Sequence, residues 1–121
     1  MAIALDEPAA DACAAVLEAA DELFISAATL AEARIVAARR NVGASMESLV
    51  GRLGLRVINV TARVSITVAQ AYQQWGKGFH PAALNFGDCF AYAAAKEHDC
   101  PLLYVGNDFT QTDIKSALSA A

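Results

Sequence analysis

Three acidic residues stand at the edges of apolar segments: Glu32, Asp88 and Asp108. Acids are rarely left in such surroundings unless they are paired or bind a metal ion. Oxygen-only ligands suit Mg²⁺ or Mn²⁺, which keep several waters and share their coordination sphere with substrate phosphates. Such an ion lowers the pKa of a bound water and holds a phosphodiester for in-line attack. Three carboxylates meeting at one point would therefore form a metal site for phosphodiester hydrolysis.

Glu32 has a simpler alternative role. Its neighbours four residues away on a helix, Ala28 and Val36, are both apolar, so we expect it within or beside a buried stripe. A carboxylate there can pair with an arginine, and Arg34 and Arg39 are the nearest candidates. The sequence leaves the ion pair and the metal ligand as alternatives.

The other acids also have structural alternatives. Asp88 follows the turn-like segment 85–87 and opens an apolar helix, where an acid can serve as a cap or a first-turn residue. Asp108 follows an apolar run, and turns favour aspartate. A further acid, Asp113, is placed to cap a last helix over residues 114–121.

Helical and extended segments alternate along the chain, which predicts an α/β fold around a mostly parallel sheet. In such sheets the ligand crevice lies beyond the carboxyl ends of the strands, and Asp108 falls just past one such end. The predicted helices span residues 8–21, 27–41, 45–53, 61–75 and 88–96. The predicted strands span residues 23–25, 56–60 and 102–105, and caps are expected at Ser26 and Thr61.

Composition predicts one well-packed domain over residues 1–121, with 56% hydrophobic and 18% charged residues. No apolar run approaches the roughly 20 residues of a membrane span, and the start MAIALDEP lacks a basic signal-peptide region. Cys13, Cys89 and Cys100 are odd in number and lie in or beside apolar segments, as reduced cysteines do. We therefore expect a cytoplasmic protein. Its net charge of −4 gives no general attraction to nucleic acid.

Three blocks resemble the PIN-domain family in order and spacing. They are ISAATLAEA (25–33), GKGFHPAALNFGDCFAYAAAK (76–96) and PLLYVGNDFTQTDI (101–114), and the run LNFGDCFAYA followed by GNDFTQTD is the most specific part. More narrowly, the blocks resemble VapC-type toxins of toxin–antitoxin pairs. The resemblance implies a PIN-like α/β/α sandwich, metal-dependent endonucleolytic cleavage of RNA, a cognate antitoxin that inserts into the site, and a homodimer.

The resemblance also implies roles for individual residues. Asp88 and Asp108 match metal ligands, and Glu32 matches an acid that binds the metal directly or through water. Asp113 matches an acid that often lies beside the site, and we expect it in the metal-binding set as well. The implied ion is Mg²⁺ or Mn²⁺. In the 76–81 loop, two further residues border the implied cleft and can hold RNA phosphates, namely Lys77 and His80. A plain loop lysine and a structural histidine are equally good explanations for them.

The sequence departs from the family at its start. The family opens with a central strand that ends in a metal-binding aspartate, whereas MAIALDEP resembles the end of the first helix, and Asp6 is no replacement. We expect a coding sequence that begins further upstream. A degenerate toxin and a shortened form are the alternatives, and either would favour a non-catalytic binding module that dimerises or captures an antitoxin. A phosphotransfer domain is disfavoured, because only Lys115 follows Asp108.

Four aromatic residues are expected in the core or in a dimer contact rather than as stacking platforms for bases. They are Tyr72, Trp75, Phe79 and Phe90. The reason is that their spacing is irregular and no basic residues are interleaved with them in a regular pattern.

Overall fold

A computed structural model describes residues 22–102 and 109–117, and the predicted helix over residues 8–21 lies outside this part of the chain. The described residues form two strands and four helices, none of which is both long and apolar enough to cross a membrane. In chain order these are β1 (Phe24–Ser26), α1 (Ala27–Arg39), α2 (Gly43–Leu53), β2 (Arg56–Ile58), α3 (Ala62–Trp75) and α4 (Phe86–Glu97).

The two strands pair in parallel, with Ile25 opposite Val57. Helices α1 and α2 form the crossover between them, because parallel neighbours cannot be joined by a tight hairpin. This arrangement confirms the α/β prediction. Strand β2 ends two residues earlier than predicted. Of the third predicted strand, residues 103–105 lie outside the described residues, while Leu102 forms a parallel bridge with Ser116.

Helix α1 begins as predicted, because the Ser26 hydroxyl accepts a hydrogen bond from the Ala28 N–H at 3.3 Å. It buries Leu30, Ala33 and Ala37, which recur at the spacing of one helix face. Ala33 and Ala37 pack against Met46 of α2 in a small second core. These contacts fix the angle at which α1 leaves the sheet.

Helix α4 is the central element, and it contacts α1, α3 and β1. The near-complete apolar surface of this segment predicts a buried helix. The helix is buried along its middle, at Cys89, Phe90, Tyr92, Ala93 and Ala95, whereas Lys96 and Glu97 at its end are exposed. The main core joins α3 and α4 and includes Val68, Ala71, Leu84, Cys89, Phe90, Tyr92, Ala93 and Phe109. Helix α3 starts at the predicted cap, where the Thr61 hydroxyl accepts a hydrogen bond from the Val64 N–H at 3.2 Å.

Two predictions about local structure are wrong. Residues 114–117 are not helical: backbone hydrogen bonds from Leu102 to the Lys115 carbonyl and from Ala117 to the Leu102 carbonyl, at 2.8 and 2.9 Å, hold the segment extended. Asp113 therefore caps no helix within the described residues. Of the aromatic residues expected in the core or in a dimer contact, Phe79 does not belong to the core, since 64% of it is exposed, and a dimer contact at Phe79 stays a prediction. Phe90 is buried, as predicted.

Candidate active site at the start of helix α4

The carboxylate of Glu32 lies against the first turn of α4. A Cβ atom at Gly87 would stand 2.5 Å from Glu32 Oε2 and 3.2 Å from Oε1, so the carboxylate occupies the space that any other side chain would fill. Glu32 is exposed, beside the buried stripe of α1 rather than within it. The amino end of a helix carries a partial positive charge, which favours a carboxylate at this place.

Asp88 belongs to the same turn of α4 and is held by a capping box. Its Oδ2 accepts the backbone N–H of Asn85 at 3.0 Å, and its own N–H donates to Asn85 Oδ1 at 2.8 Å. This reciprocal pair fixes both the start of the helix and the direction of the Asp88 side chain. The predicted role of Asp88 as a helix cap is therefore confirmed. Glu32 and Asp88, from distant parts of the sequence, thus lie at the same turn of α4.

The arginine alternative for Glu32 is wrong for Arg34. The Arg34 guanidinium forms two hydrogen bonds with Glu47 of α2, from Nε at 2.9 Å and from the terminal nitrogen at 3.0 Å. The hydrogen bonds to Glu47, followed by its charge, raise the pKa of Arg34. Within residues 22–102 and 109–117, the Glu32 carboxylate takes part in no ion pair, with Arg39 or any other cation. An ion pair with an arginine therefore does not account for the position of Glu32 within the described residues.

Asp113 is tied to a later part of α4. Its Oδ1 accepts a hydrogen bond from the Tyr92 hydroxyl at 2.5 Å, and its Oδ2 accepts one from Lys96 Nζ at 3.0 Å. The Trp75 indole N–H in turn donates to the Tyr92 oxygen at 2.9 Å. Residues 88, 92 and 96 recur every four positions and share one face of α4. Two hydrogen bonds therefore hold the Asp113 carboxylate on the same face of α4 as Asp88.

This network changes the pKa of two groups. The hydrogen bond from Tyr92, helped by Lys96, lowers the pKa of Asp113. Burial and the Asp113 carboxylate raise the pKa of Tyr92 to about 12. Beside Asp88, burial and the neighbouring carboxylate raise the pKa of the Cys89 thiol to about 11. Cys89 is therefore an unreactive core residue rather than a nucleophile.

The loop with Lys77 and His80 is closed at its base, directly before α4. Gly76 and Leu84 form a parallel bridge, and the Lys77 N–H donates to the Leu84 carbonyl at 3.0 Å. Lys77 is exposed. The Nδ1 atom of His80 accepts the Ala82 N–H at 2.9 Å, and its ring contacts Trp75 edge to face at 4.8 Å. These contacts give His80 a structural role, and phosphate binding by either residue stays a prediction.

The residues at the start of α4 fit a hard divalent cation. Their donors are carboxylate oxygens, and Mg²⁺ is commonly held by only one or two carboxylates together with waters and substrate phosphates. In the part of the chain that the structure describes, no group of three His, Cys, Asp or Glu side chains could hold a metal ion. Asp108, the third predicted ligand, lies outside the described residues. The next residue, Phe109, is buried in the core with Cys89 and Leu84.

Three residues of this region escaped sequence reasoning. Gly87 matters for the space it leaves, and nothing in the local sequence reveals which side chain fills that space. Tyr92 and Lys96 are recognisable in retrospect, because they follow Asp88 at intervals of four residues on a predicted helix. A search for polar residues at that spacing would have found both.

Comparison with known proteins shows the family of the chain. The family model described as PIN domain matches residues 1–115. This chain belongs to the PIN domain family. Over 113 residues the PIN domain is 42% identical to ribonuclease VapC36 of Mycobacterium tuberculosis, a match covering 91% of this chain and 81% of that protein. It is 38% identical to ribonuclease VapC28 of the same species over 122 residues, covering 98% and 92%. VapC ribonuclease R02377 of Rhizobium meliloti is 38% identical over 101 residues, covering 75% and 71%.

Proposed function

We propose that this protein is an endoribonuclease toxin of the VapC type, dependent on a divalent metal ion and neutralised by a cognate antitoxin. The proposal is supported by membership of the PIN family and by relatives that are named VapC ribonucleases. The observation that supports it most directly is the position of the Glu32 carboxylate. This carboxylate lies against Gly87, which belongs to the same turn of α4 as Asp88. Two carboxylates beside one helical turn, one of them without a cationic partner among the described residues, offer oxygen ligands of the kind that a divalent cation prefers.

In this proposal Asp88, Glu32 and Asp108 hold Mg²⁺ or Mn²⁺. The ion, when bound, supplies a water of lowered pKa and a positive charge beside the scissile phosphate. Asn85 keeps the Asp88 carboxylate in one direction. Gly87 leaves room for Glu32 to reach the same turn. Asp113 acts as a positioning residue, because it holds Tyr92 and Lys96 on the face of α4 that continues from Asp88.

Charge explains why a metal ion is needed. The chain carries a net charge of −4, and the carboxylates at the start of α4 repel an approaching phosphodiester. A divalent cation offsets most of this negative charge and gives the phosphate oxygens a positive centre to bind. Lys77, exposed on the loop before α4, is proposed to bind a phosphate further along the RNA, with His80 beside it. The antitoxin and a second copy of the chain are the proposed protein partners.

The test is cleavage of a single-stranded RNA labelled with a fluorophore and a quencher. We expect cleavage with Mg²⁺ or Mn²⁺ and none with a chelator. Asp88→Asn and Glu32→Gln should each lower the rate about 100-fold, since each removes one charge from the site. Asn at position 88 can still accept the Asn85 N–H, so the helix start is preserved. Equal rates in the parent and in Asp88→Asn, purified identically, would reject the proposal.

Mn²⁺ binding is an independent measurement. It is monitored by electron paramagnetic resonance, in which the signal of free Mn²⁺ falls as the ion binds to the protein. The parent should bind Mn²⁺ more tightly than either variant. A protein that binds an antitoxin but neither binds Mn²⁺ nor cleaves RNA would instead be a non-catalytic binding module.

A further inference from the structure

Phe86 is the most exposed of the large apolar side chains in the described residues, with 71% of it accessible to solvent. It is the first residue of α4 and directly precedes Gly87 and Asp88. Single exposed apolar residues are common on protein surfaces, so exposure alone implies no role. Its place in the chain and the way its ring is held are what distinguish it.

The Phe86 ring is held in one orientation. It packs edge to face on Phe90, with ring centroids 4.9 Å apart and an angle of 80° between the planes. Phe90 is buried in the main core, so it is a firm support. An aromatic ring that is ordered before binding loses little conformational entropy when a ligand stacks on it. Phe86 therefore offers a flat apolar surface that is oriented in advance.

We infer that Phe86 is a stacking platform for a base of single-stranded RNA, next to the phosphate that a metal ion bound at Glu32 and Asp88 would hold. This inference rests on the proposed ribonuclease function and adds to it how the substrate is positioned. In an α-helix, Cα atoms two residues apart are separated by about 5 Å. A base on Phe86 thus belongs to a nucleotide beside the phosphate at the carboxylates. Stacking of this kind accepts any base, because every base has a π-face.

The loop before α4 supplies the charge that accompanies such platforms. The Lys77 N–H is hydrogen-bonded to the carbonyl of Leu84, two residues before Phe86, so the lysine backbone lies close to the helix start. Sites for single-stranded nucleic acids combine aromatic surfaces with cations along the backbone. Stacking has a further advantage in an acidic protein, because it does not depend on the charge of the protein. Its contribution to RNA affinity therefore persists at salt concentrations that weaken the contact with Lys77.

The experiment measures binding in an Asp88→Asn background without divalent metal, where the RNA stays intact. The probe is a fluorescein-labelled single-stranded RNA of about 12 nucleotides, within the usual range of site sizes. Fluorescence anisotropy should show that Phe86→Leu weakens binding about tenfold at both low and high salt, whereas Phe86→Trp binds like the background protein. The matched control is Phe79→Leu, because Phe79 is similarly exposed (64%) and also packs edge to face, on Tyr72. That control should bind RNA normally.

A second measurement uses RNAs that carry one abasic nucleotide at successive positions. With the abasic nucleotide at one position, the RNA should bind about tenfold more weakly to the background protein. At that position Phe86→Leu should cause no further loss of affinity, as expected for a stacked pair in a double-mutant cycle. Additive losses at every position would overturn the inference. So would unchanged binding by Phe86→Leu, or equal losses in Phe86→Leu and Phe79→Leu.

Protein contacts at Phe86 have a separate signature. If Phe86→Leu leaves RNA binding unchanged but alters the sedimentation of the protein, Phe86 is a contact between copies of the chain and the inference is wrong. Failure of the proposed function is distinguishable from both results. If only the proposed function is wrong, Phe86→Leu still weakens RNA binding as described, but the parent protein does not cleave the RNA when Mg²⁺ is added.

Discussion

The carboxylate of Glu32 and the backbone of Gly87 are in direct contact across the interface between α1 and α4. Neither helix alone creates this contact. The acid comes from a helix anchored on β1 and α2, and the space comes from a residue without a side chain at the start of the central helix. The candidate site is therefore a property of helix packing, and it can be tested by changing the space rather than the charge.

Gly87→Ala should lower Mn²⁺ affinity about tenfold, the lower end of the effects seen when the support of a metal ligand is removed. The added methyl group would displace Glu32 Oε2, because the distance is too short for any real contact. The glutamate side chain is flexible, so it moves aside and the fold is retained. The measurements are Mn²⁺ binding by electron paramagnetic resonance and thermal unfolding by circular dichroism.

Gly51→Ala is the control for this substitution. Gly51 also lies inside a helix, α2, but a Cβ atom there meets nothing within 4 Å. Alanine should raise stability at this position by about 0.5 to 1 kcal/mol, through its better helix propensity, and leave Mn²⁺ binding unchanged. Equal Mn²⁺ affinity in the two alanine variants would show that the Glu32 contact has no part in metal binding.

Removing a helix cap should separate stability from site geometry. Asn85→Ala and Thr61→Ala each remove a side-chain acceptor from a helix start, so each should cost about 1 kcal/mol and lower the melting temperature by about 4 °C. Only Asn85→Ala should also weaken Mn²⁺ binding, because it loosens the turn that carries Asp88. The comparison is made at a temperature where both variants are folded. Similar Mn²⁺ affinities in both would contradict the proposed role of the capping box.

The pKa of about 12 at Tyr92 predicts a stability loss at alkaline pH. A tyrosine whose pKa is raised on folding stabilises the folded state fully below pH 10, its ordinary pKa, and this contribution is lost as the pH rises toward 12. Tyr92→Phe lacks this contribution. It leaves the Trp75 N–H without its acceptor and Asp113 Oδ1 without the Tyr92 donor, while Asp113 Oδ2 keeps Lys96, at a cost of about 1 to 2 kcal/mol at neutral pH.

The free energy of unfolding is measured with denaturant, using fluorescence of Trp75, which is the sole tryptophan of the chain. The difference in stability between the parent and Tyr92→Phe should shrink between pH 10 and 12. A difference that stays constant over this range would show that the Tyr92 hydroxyl titrates no higher in the folded protein than in the unfolded one.

Lys77 should contribute to RNA affinity through charge alone. Lys77→Gln is expected to weaken binding at low salt and to reduce the slope of log affinity against log salt by about 0.7, the value for one phosphate contact on a single strand. Arg63→Gln is the control. Arg63 is also exposed, but it lines a cleft of about 600 Å³ together with Glu97 and His98, at the opposite end of α4. Equal slope changes for Lys77 and Arg63 would indicate nonspecific attraction.

Local signals in the sequence predicted the local structure well. The caps at Ser26 and Thr61 and the start of α4 were predictable, because each depends on residues within three positions of one another. The contact between Glu32 and Gly87 was not predictable, since it depends on how two helices pack. The last helix was predicted wrongly because pairing of residues 115–117 with Leu102 overrides the local propensity of that segment. The metal-binding roles stay predictions for all four acids, namely Glu32, Asp88, Asp108 and Asp113.

The ten-residue connection between α3 and α4 is held at both ends by contacts that do not involve its middle residues. A Cβ atom at Gly76 would overlap the carbonyl and ring of Tyr72, so glycine is required there, and Leu84 is fully buried. Between these anchors stand Lys77 and His80, on a stretch whose own side chains contribute little to the core. The middle of the connection can therefore be exchanged without moving either end, so that the loop can vary while the carboxylates at the next helix keep their positions.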